Sequence, residues 1–313
     1  MKAAIIGNGN VGMATFKELL KMREFQELVL IGRNQDKLKA EIDDFLDARI
    51  LNASPCAGLS YGGYDKVEGA DLIVYAAGAA QKPGQSRLEL IGQNAEITRD
   101  IFNVVKQYNT TATIIVLSNP VDIITAVIQE TMGIPREKVI GTGTLLDTAR
   151  LKRYISTVLD VSPASTNMFV LGEHGDSSCV IWSSVRILGM SLDEYLSMDI
   201  GVTSSMKHDL LSESVRATAG NIIKAKGYTA YGVAAAAARV ASAIINDTHE
   251  ILPVSVRLNG EYGVNGIAIS VPCMLGKTGV ISIKQMKLTD DEKEAFKKSA
   301  DIITGIAANV GIS

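Results

Sequence analysis

Cysteine is scarce in this chain: three occur, Cys56, Cys179 and Cys273. An odd number at wide spacing, with no CxxC pair, excludes a disulfide framework and the usual zinc spacings, so no metal is expected. A reducing compartment follows, and the cytoplasm is the expected location. A basic excess is also missing. Lys plus Arg number 31 against 34 Asp plus Glu, a net charge of −3, so no extended positive field offers itself to nucleic acid. Any anion site must be local. Long apolar runs are absent as well: the longest small-apolar stretch, residues 233–238 within YGVAAAAARVASAI, is closed by Arg239 and is too short to span a bilayer. Its alanines suit close approach of helices in a core or between subunits. A glycine loop follows the first six residues, so no signal peptide is expected. Repeats, low-complexity tracts and obvious linkers do not occur.

What is present is ordinary globular material: 313 residues, 47% hydrophobic and 21% charged, enough for one large or two medium domains. The first half alternates apolar runs at 2–6, 28–31, 71–76, 113–117 and, more weakly, 138–140 with helical patterns at 12–21, 35–45, 88–108 and 122–131. That alternation predicts βαβ units and a doubly wound parallel sheet. After about residue 145 the texture changes. Helices are expected at 145–159, 205–225 and 229–246, and strands near 168–171, 180–188, 254–258, 266–274 and 280–283. A last helix over 289–308 opens with a capping-box pair, Thr289 and Glu292. The expected fold class is α/β: a Rossmann sheet in residues 1–144, followed by an α+β substrate domain in residues 145–313.

The glycine loop is GNGNVG, residues 7–12, placed directly after a strand and before a helix. There Gly7 makes the tight turn, Gly9 lets backbone approach a pyrophosphate, and Gly12 allows close helix–strand contact. Asn10 and Val11 complete the loop. The acid that reads the adenosine ribose belongs about twenty residues beyond the last glycine. That position is Gly32, in LVLIGRN. Arg33 beside it either pairs with a 2′-phosphate or stands solvated while NAD binds through other groups. NAD is therefore the expected cofactor, with NADP an open alternative.

Four further stretches hold polar residues that packing does not require: AGAAQKPGQSR (77–87), LSNPVD (117–122), GTGTLLDTAR (141–150) and LGEHGDSS (171–178). The first reads as a mobile loop. The third places Asp147 and Arg150 on neighbouring positions of one helix face, and the fourth sets His174 between glycines. With the glycine loop, these stretches resemble the L-lactate/malate dehydrogenase family, in particular its L-2-hydroxy acid branch, over essentially the whole chain. The resemblance implies His174 as acid–base residue, Asp147 as its orienting partner, and Arg87 as the loop cation that polarises the carbonyl. It implies Arg150 on the substrate carboxylate, Asn119 near both carbonyl and nicotinamide, and Thr229 at the substrate side chain. Ala77, Gly78, Asn94, Asn119 and Val233 join the glycine loop in the cofactor set. It also implies a homotetramer, with a homodimer as alternative.

The chemistry agrees with that set. Hydride reduction of a ketone develops negative charge on oxygen, so a proton donor and a cation must converge there. A carboxylate beside histidine favours the charged imidazole, and a bidentate arginine orients a planar carboxylate. Taken singly, His174 also fits a satisfied core histidine, and Asp147 with Arg150 a plain helix salt bridge. A chain that binds a dinucleotide without turnover, as a sensor or structural protein, is the contrasting class.

Gln81 informs the substrate. In malate-specific members an arginine stands at the matching place and meets a second carboxylate. Here that carboxylate would lose its partner, a cost of several kcal/mol or roughly a thousandfold, unless a loop shift presents Lys82. A monocarboxylate 2-oxo acid is expected, pyruvate first, so L-lactate dehydrogenase activity leads. Larger branched 2-oxo acids, of the L-2-hydroxyisocaproate type, come second, and malate dehydrogenase activity trails both. Many bacterial relatives respond to fructose 1,6-bisphosphate through an arginine and a histidine. The matching positions are Lys152 and Asn167, so that response is expected to be weak or lost.

Overall fold

Runs such as AAII and LVLI are buried on both faces, and that is the pattern of central parallel strands. In the computed structural model, which describes residues 1–52, 58–79, 87–198 and 208–312, these runs form the sheet core. The first half comprises β1 (Lys2–Ile6), α1 (Asn10–Leu19), β2 (Glu27–Ile31), α2 (Gln35–Asn52), β3 (Gly58–Gly62), β4 (Leu72–Tyr75), α3 (Arg87–Val105), β5 (Thr113–Val116), α4 (Val121–Met132) and β6 (Val139–Gly141). All pairings among these strands are parallel, in the order β3-β2-β1-β4-β5-β6. That is the doubly wound order, with the crevice for a ligand at the carboxyl ends of β1 and β4.

The second half comprises α5 (Leu145–Val158), β7 (Thr166–Leu171), β8 (Cys179–Ile187), β9 (Met190–Ser191), α6 (Leu192–Met198), α7 (His208–Lys226), α8 (Tyr231–Ile245), β10 (Ile251–Asn259), β11 (Asn265–Gly276), β12 (Gly279–Ile283) and α9 (Asp290–Asn309). β7, β8 and β9 form a small antiparallel sheet. β10, β11 and β12 do not: they extend the first sheet antiparallel from β6, giving nine strands in all. One apolar cluster accordingly runs from Ile5 and Leu28 through Val240 to Val254 and Phe296. The alanine-rich α8 packs against α1, with Ala234, Ala237 and Ala241 fully buried.

Two elements depart from expectation. β3 carries no clear apolar alternation because it is an edge strand, half-buried along most of its length. α2 runs to Asn52 instead of stopping near residue 45, on a polar sequence whose outward face needs no apolar periodicity. Among the described residues, no helix is long and apolar enough to cross a membrane.

Candidate active site

The glycine loop is built by steric exclusion. Gly7 sits at φ +115°, and a Cβ there would stand 2.8 Å from the backbone of Ala76 and Ala77, so any side chain would push β1 off β4. A Cβ on Gly12 would lie 1.9 Å from the Gly7 carbonyl oxygen. At Gly9 nothing stands within 4 Å of that position. Gly9 is also the N-cap of α1, and no side chain caps it. Free N–H groups at a helix start with open space before them are what a pyrophosphate requires, so the loop fits a dinucleotide. Asn10 opens α1 and Val11 follows it.

Two adjacent strand ends are tied to each other. The Asn94 carboxamide, projecting from α3, accepts from Ala79 N at 2.8 Å and donates to Asn119 O at 3.1 Å. Ser118 Oγ donates to Ala77 O at 2.6 Å. Ala77, Gly78, Asn94 and Asn119 thus form one rim at the carboxyl ends of β4 and β5.

Opposite polar demands meet on α5. Asp147 Oδ2 lies 2.6 Å from His174 Nδ1, while Asp147 Oδ1 accepts from Arg150 Nη1 at 2.8 Å. An ionised carboxylate only accepts, so Nδ1 carries hydrogen and Nε2 is left for proton exchange. The Asp147 and Arg150 side chains are 7% and 8% exposed, and His174 is 23% exposed. Burial would raise the Asp147 carboxyl, but His174 and then Arg150 outweigh it and hold it below its ordinary value. Burial would lower His174; the Asp147 charge and hydrogen bond overcome that and raise it above the usual histidine value. The loop carrying His174 turns at Gly172, where φ is +89° and an added Cβ would meet Ser299 Oγ at 2.7 Å.

His174 opens onto a narrow cavity of about 50 Å³, shared with Val11, Leu117, Asn119, Leu146, Thr229 and Val233. Five residues singled out from the sequence therefore converge, Val11 and Val233 from helices α1 and α8, and Asn119, His174 and Thr229 from the loops after β5, β7 and α7. Gln81 and Lys82 lie outside the described residues, as does Cys56; Arg87 opens α3, but its side chain lies outside them too.

The comparisons decide the family. Residues 1–141 match the profile described as lactate/malate dehydrogenase, NAD binding domain, and residues 144–310 the one described as lactate/malate dehydrogenase, alpha/beta C-terminal domain. The chain belongs to the lactate/malate dehydrogenase family.

Within that family it is similar to an L-lactate dehydrogenase of Macrococcus caseolyticus, 38% identical over 308 residues, covering 97% of this chain and 96% of the relative. An L-lactate dehydrogenase of a Thermoanaerobacter species is 36% identical over 312 residues, covering 99% of each. The crystal structure of a minor L-lactate dehydrogenase from Enterococcus mundtii superposes with a TM-score of 0.94 at 36% identity, over 99% of this chain and 98% of that one.

The end of β2 bears on the cofactor's ribose. A Cβ on Gly32 would lie 3.4 Å from Asn8 Oδ1, and Asn8 Nδ2 is buried with no hydrogen-bond partner. Lys37 Nζ donates to Asn8 O at 3.3 Å, and Arg33 is exposed beside it. Sequence reasoning found Arg33 but missed Asn8, which only the return of the chain brings to Gly32, and Lys37, which reaches Asn8 O from α2. It also quoted Asp122 without giving it a role. A charged residue inside the apolar run VDIITAVI was the available signal.

Proposed function

We propose that the chain is an NAD-dependent L-lactate dehydrogenase, reducing pyruvate to L-lactate and running the reverse reaction. The Asp147-supported His174, exposed at the cavity beside the glycine loop, carries this reading. A nicotinamide held at the glycine loop would supply hydride chemistry at the substrate C2. Protonated His174 gives its Nε2 proton to the carbonyl oxygen as charge builds there, and in oxidation takes it back. Arg150 Nη1 is held by Asp147, which leaves the other guanidinium N–H groups for the substrate carboxylate. Arg87 polarises the carbonyl. Asn119 hydrogen-bonds near it, Thr229 meets the substrate side chain, and Val233 backs the nicotinamide.

The test is a panel of pyruvate, oxaloacetate and 2-oxoisocaproate, followed by loss of nicotinamide absorbance. Pyruvate is expected to give the highest kcat/KM, with oxaloacetate about a thousandfold lower because Gln81 offers no charge to a second carboxylate. Preference for 2-oxoisocaproate moves the reading to the larger branched acids, and preference for oxaloacetate overturns it. His174→Ala is expected to keep cofactor binding and lose turnover; unchanged turnover removes His174 from the mechanism. Adding fructose 1,6-bisphosphate is expected to leave KM nearly unchanged. Lys152 and Asn167 do share a cavity with Arg239, but Glu250 already holds Arg239 at 2.6 Å. A homotetramer is the expected assembly, which sedimentation checks.

We also infer that NADP serves alongside NAD. Gly32 puts no carboxylate against a 2′-phosphate, and Arg33 and Lys37 offer it donors. NADPH is expected to support reduction with kcat/KM not far below NADH, and Arg33→Ala to weaken NADPH selectively. A strong NADH preference untouched by Arg33→Ala contradicts this.

A further inference from the structure

Helix α8 opens with a glycine that its own backbone does not require. Gly232 is the second residue of the helix and takes no positive φ. As a helix former it is inferior to the alanine that fills positions 234–238. The reason for glycine lies on the neighbouring helix. An added Cβ would stand 2.8 Å from Leu146 Cδ1, 3.3 Å from Cδ2 and 3.7 Å from Cγ, so its three nearest atoms all belong to one side chain. The first of these distances is closer than packed carbon atoms come, and Leu146 could not keep its place over an alanine.

The backbone of Leu146 has little freedom to retreat. It lies in the first turn of α5, between two anchored residues. On one side, Thr144 N donates to Ser270 Oγ at 3.1 Å, and the Thr144 hydroxyl donates to Val170 O. On the other, Asp147 is held by His174 and Arg150. The side chain is therefore the part that yields. Leu146 lines the narrow cavity onto which His174 opens, together with Thr229 and Val233. In a space of about 50 Å³, the place of one methyl group decides what else fits.

We propose that Gly232 is a specificity-determining residue: by leaving Leu146 its place against α8, it sets the width of this cavity and so the length of 2-oxo acid side chain that the site admits. Gly232 is not among the described residues that line the cavity; it acts through Leu146. This rests on the reading of Thr229 as the residue that meets the substrate side chain.

Gly232→Ala tests it, in the full-length protein with NADH. Pyruvate, 2-oxobutyrate and 2-oxoisocaproate form a ladder of side-chain length. The kcat/KM for 2-oxobutyrate relative to pyruvate is expected to fall about tenfold, the low end for one methylene against a tight wall, mainly through KM, and that for 2-oxoisocaproate to fall further. Unchanged ratios overturn the proposal; an equal loss with all three acids would mean that α5 had moved and Asp147 with it. Adding Leu146→Ala removes the colliding side chain, and the ratios are expected to return to the parent's or above. Ratios that stay depressed overturn the proposal, because alanine at position 232 would then act without Leu146. Should Gly232→Ala not fold, Leu146→Ala alone decides: a raised ratio for 2-oxoisocaproate supports the proposal and an unchanged one overturns it. A crystal structure of Gly232→Ala without cofactor is expected to show the Leu146 side chain turned toward Thr229, and one turned to solvent overturns the proposal. Failure of the parent to turn over any 2-oxo acid would sink the functional reading while leaving that structure to judge the contact.

Discussion

Asp147 performs two electrostatic tasks with one carboxylate, and the direction of the pH dependence follows from them. In the proposed reaction, reduction needs His174 protonated. Its raised value extends the protonated range to higher pH than an ordinary histidine allows, so kcat/KM for reduction is expected to hold at low pH and fall as pH rises through that value. Oxidation needs the neutral ring and rises over the same range. Asp147→Asn removes the group that outweighs burial, and Arg150 then opposes the imidazolium with only Asp122 against it. The reduction limb is expected to move to lower pH, with a loss on the order of a hundredfold at pH 7.5; a pH profile of both variants checks it, and an unmoved limb argues against Asp147 as the support. The residue types in this pair were legible from GTGTLLDTAR and GEHG. Asn8 and Asp122 were not, because each works through a neighbour remote in sequence: Gly32 across the β1–β2 ends and the His174 amide across 52 positions.

Helix α9 shows how local and non-local terms share one side chain. Thr289 and Glu292 form the reciprocal capping box expected from their spacing. Glu292 also accepts from Ser183 N at 2.9 Å and Ser183 Oγ at 2.7 Å, which pins α9 to β8. Thr289→Ala is expected to cost about 1 kcal/mol, the ordinary value of a cap. Glu292→Ala is expected to cost more, roughly 2–3 kcal/mol, because it strands two donors of β8 as well. Urea unfolding of both variants measures the difference, and equal losses would mean the link to Ser183 contributes nothing. The same helix supplies Ser299 to the His174 loop. The T-x-x-E spacing is visible in four residues, whereas the 109-position reach to Ser183 is visible only when folded.

Taken whole, the molecule joins its halves through one sheet. β10 pairs with β6, and a single apolar cluster crosses the junction. Folding is therefore expected to be cooperative across residues 144 and 145. Trp182, the only tryptophan, sits on β8 in the second half and reports on it alone. Its thermal transition is expected to coincide with that seen by far-ultraviolet circular dichroism, and NADH bound at the glycine loop is expected to raise both. A tryptophan transition that ignores NADH would show the halves unfolding separately. The sequence pattern foresaw an α+β second half but not that its last three strands would extend the first half's sheet. Apolar alternation marks a strand without naming its neighbour.

Composition, periodicity and the order of motifs were enough to set the parallel α/β core and the glycine loop, and the family resemblance of the motifs to single out His174 and Asp147 as partners. Each of these depends on residues close together in the chain, where sterics and side-chain period act directly. Tertiary folding alone decided which carboxylates stand behind His174, what fills the space over Gly32, and how the two halves share a sheet. Those are contacts between segments up to more than a hundred positions apart, chosen by packing and by the need of buried polar groups for partners.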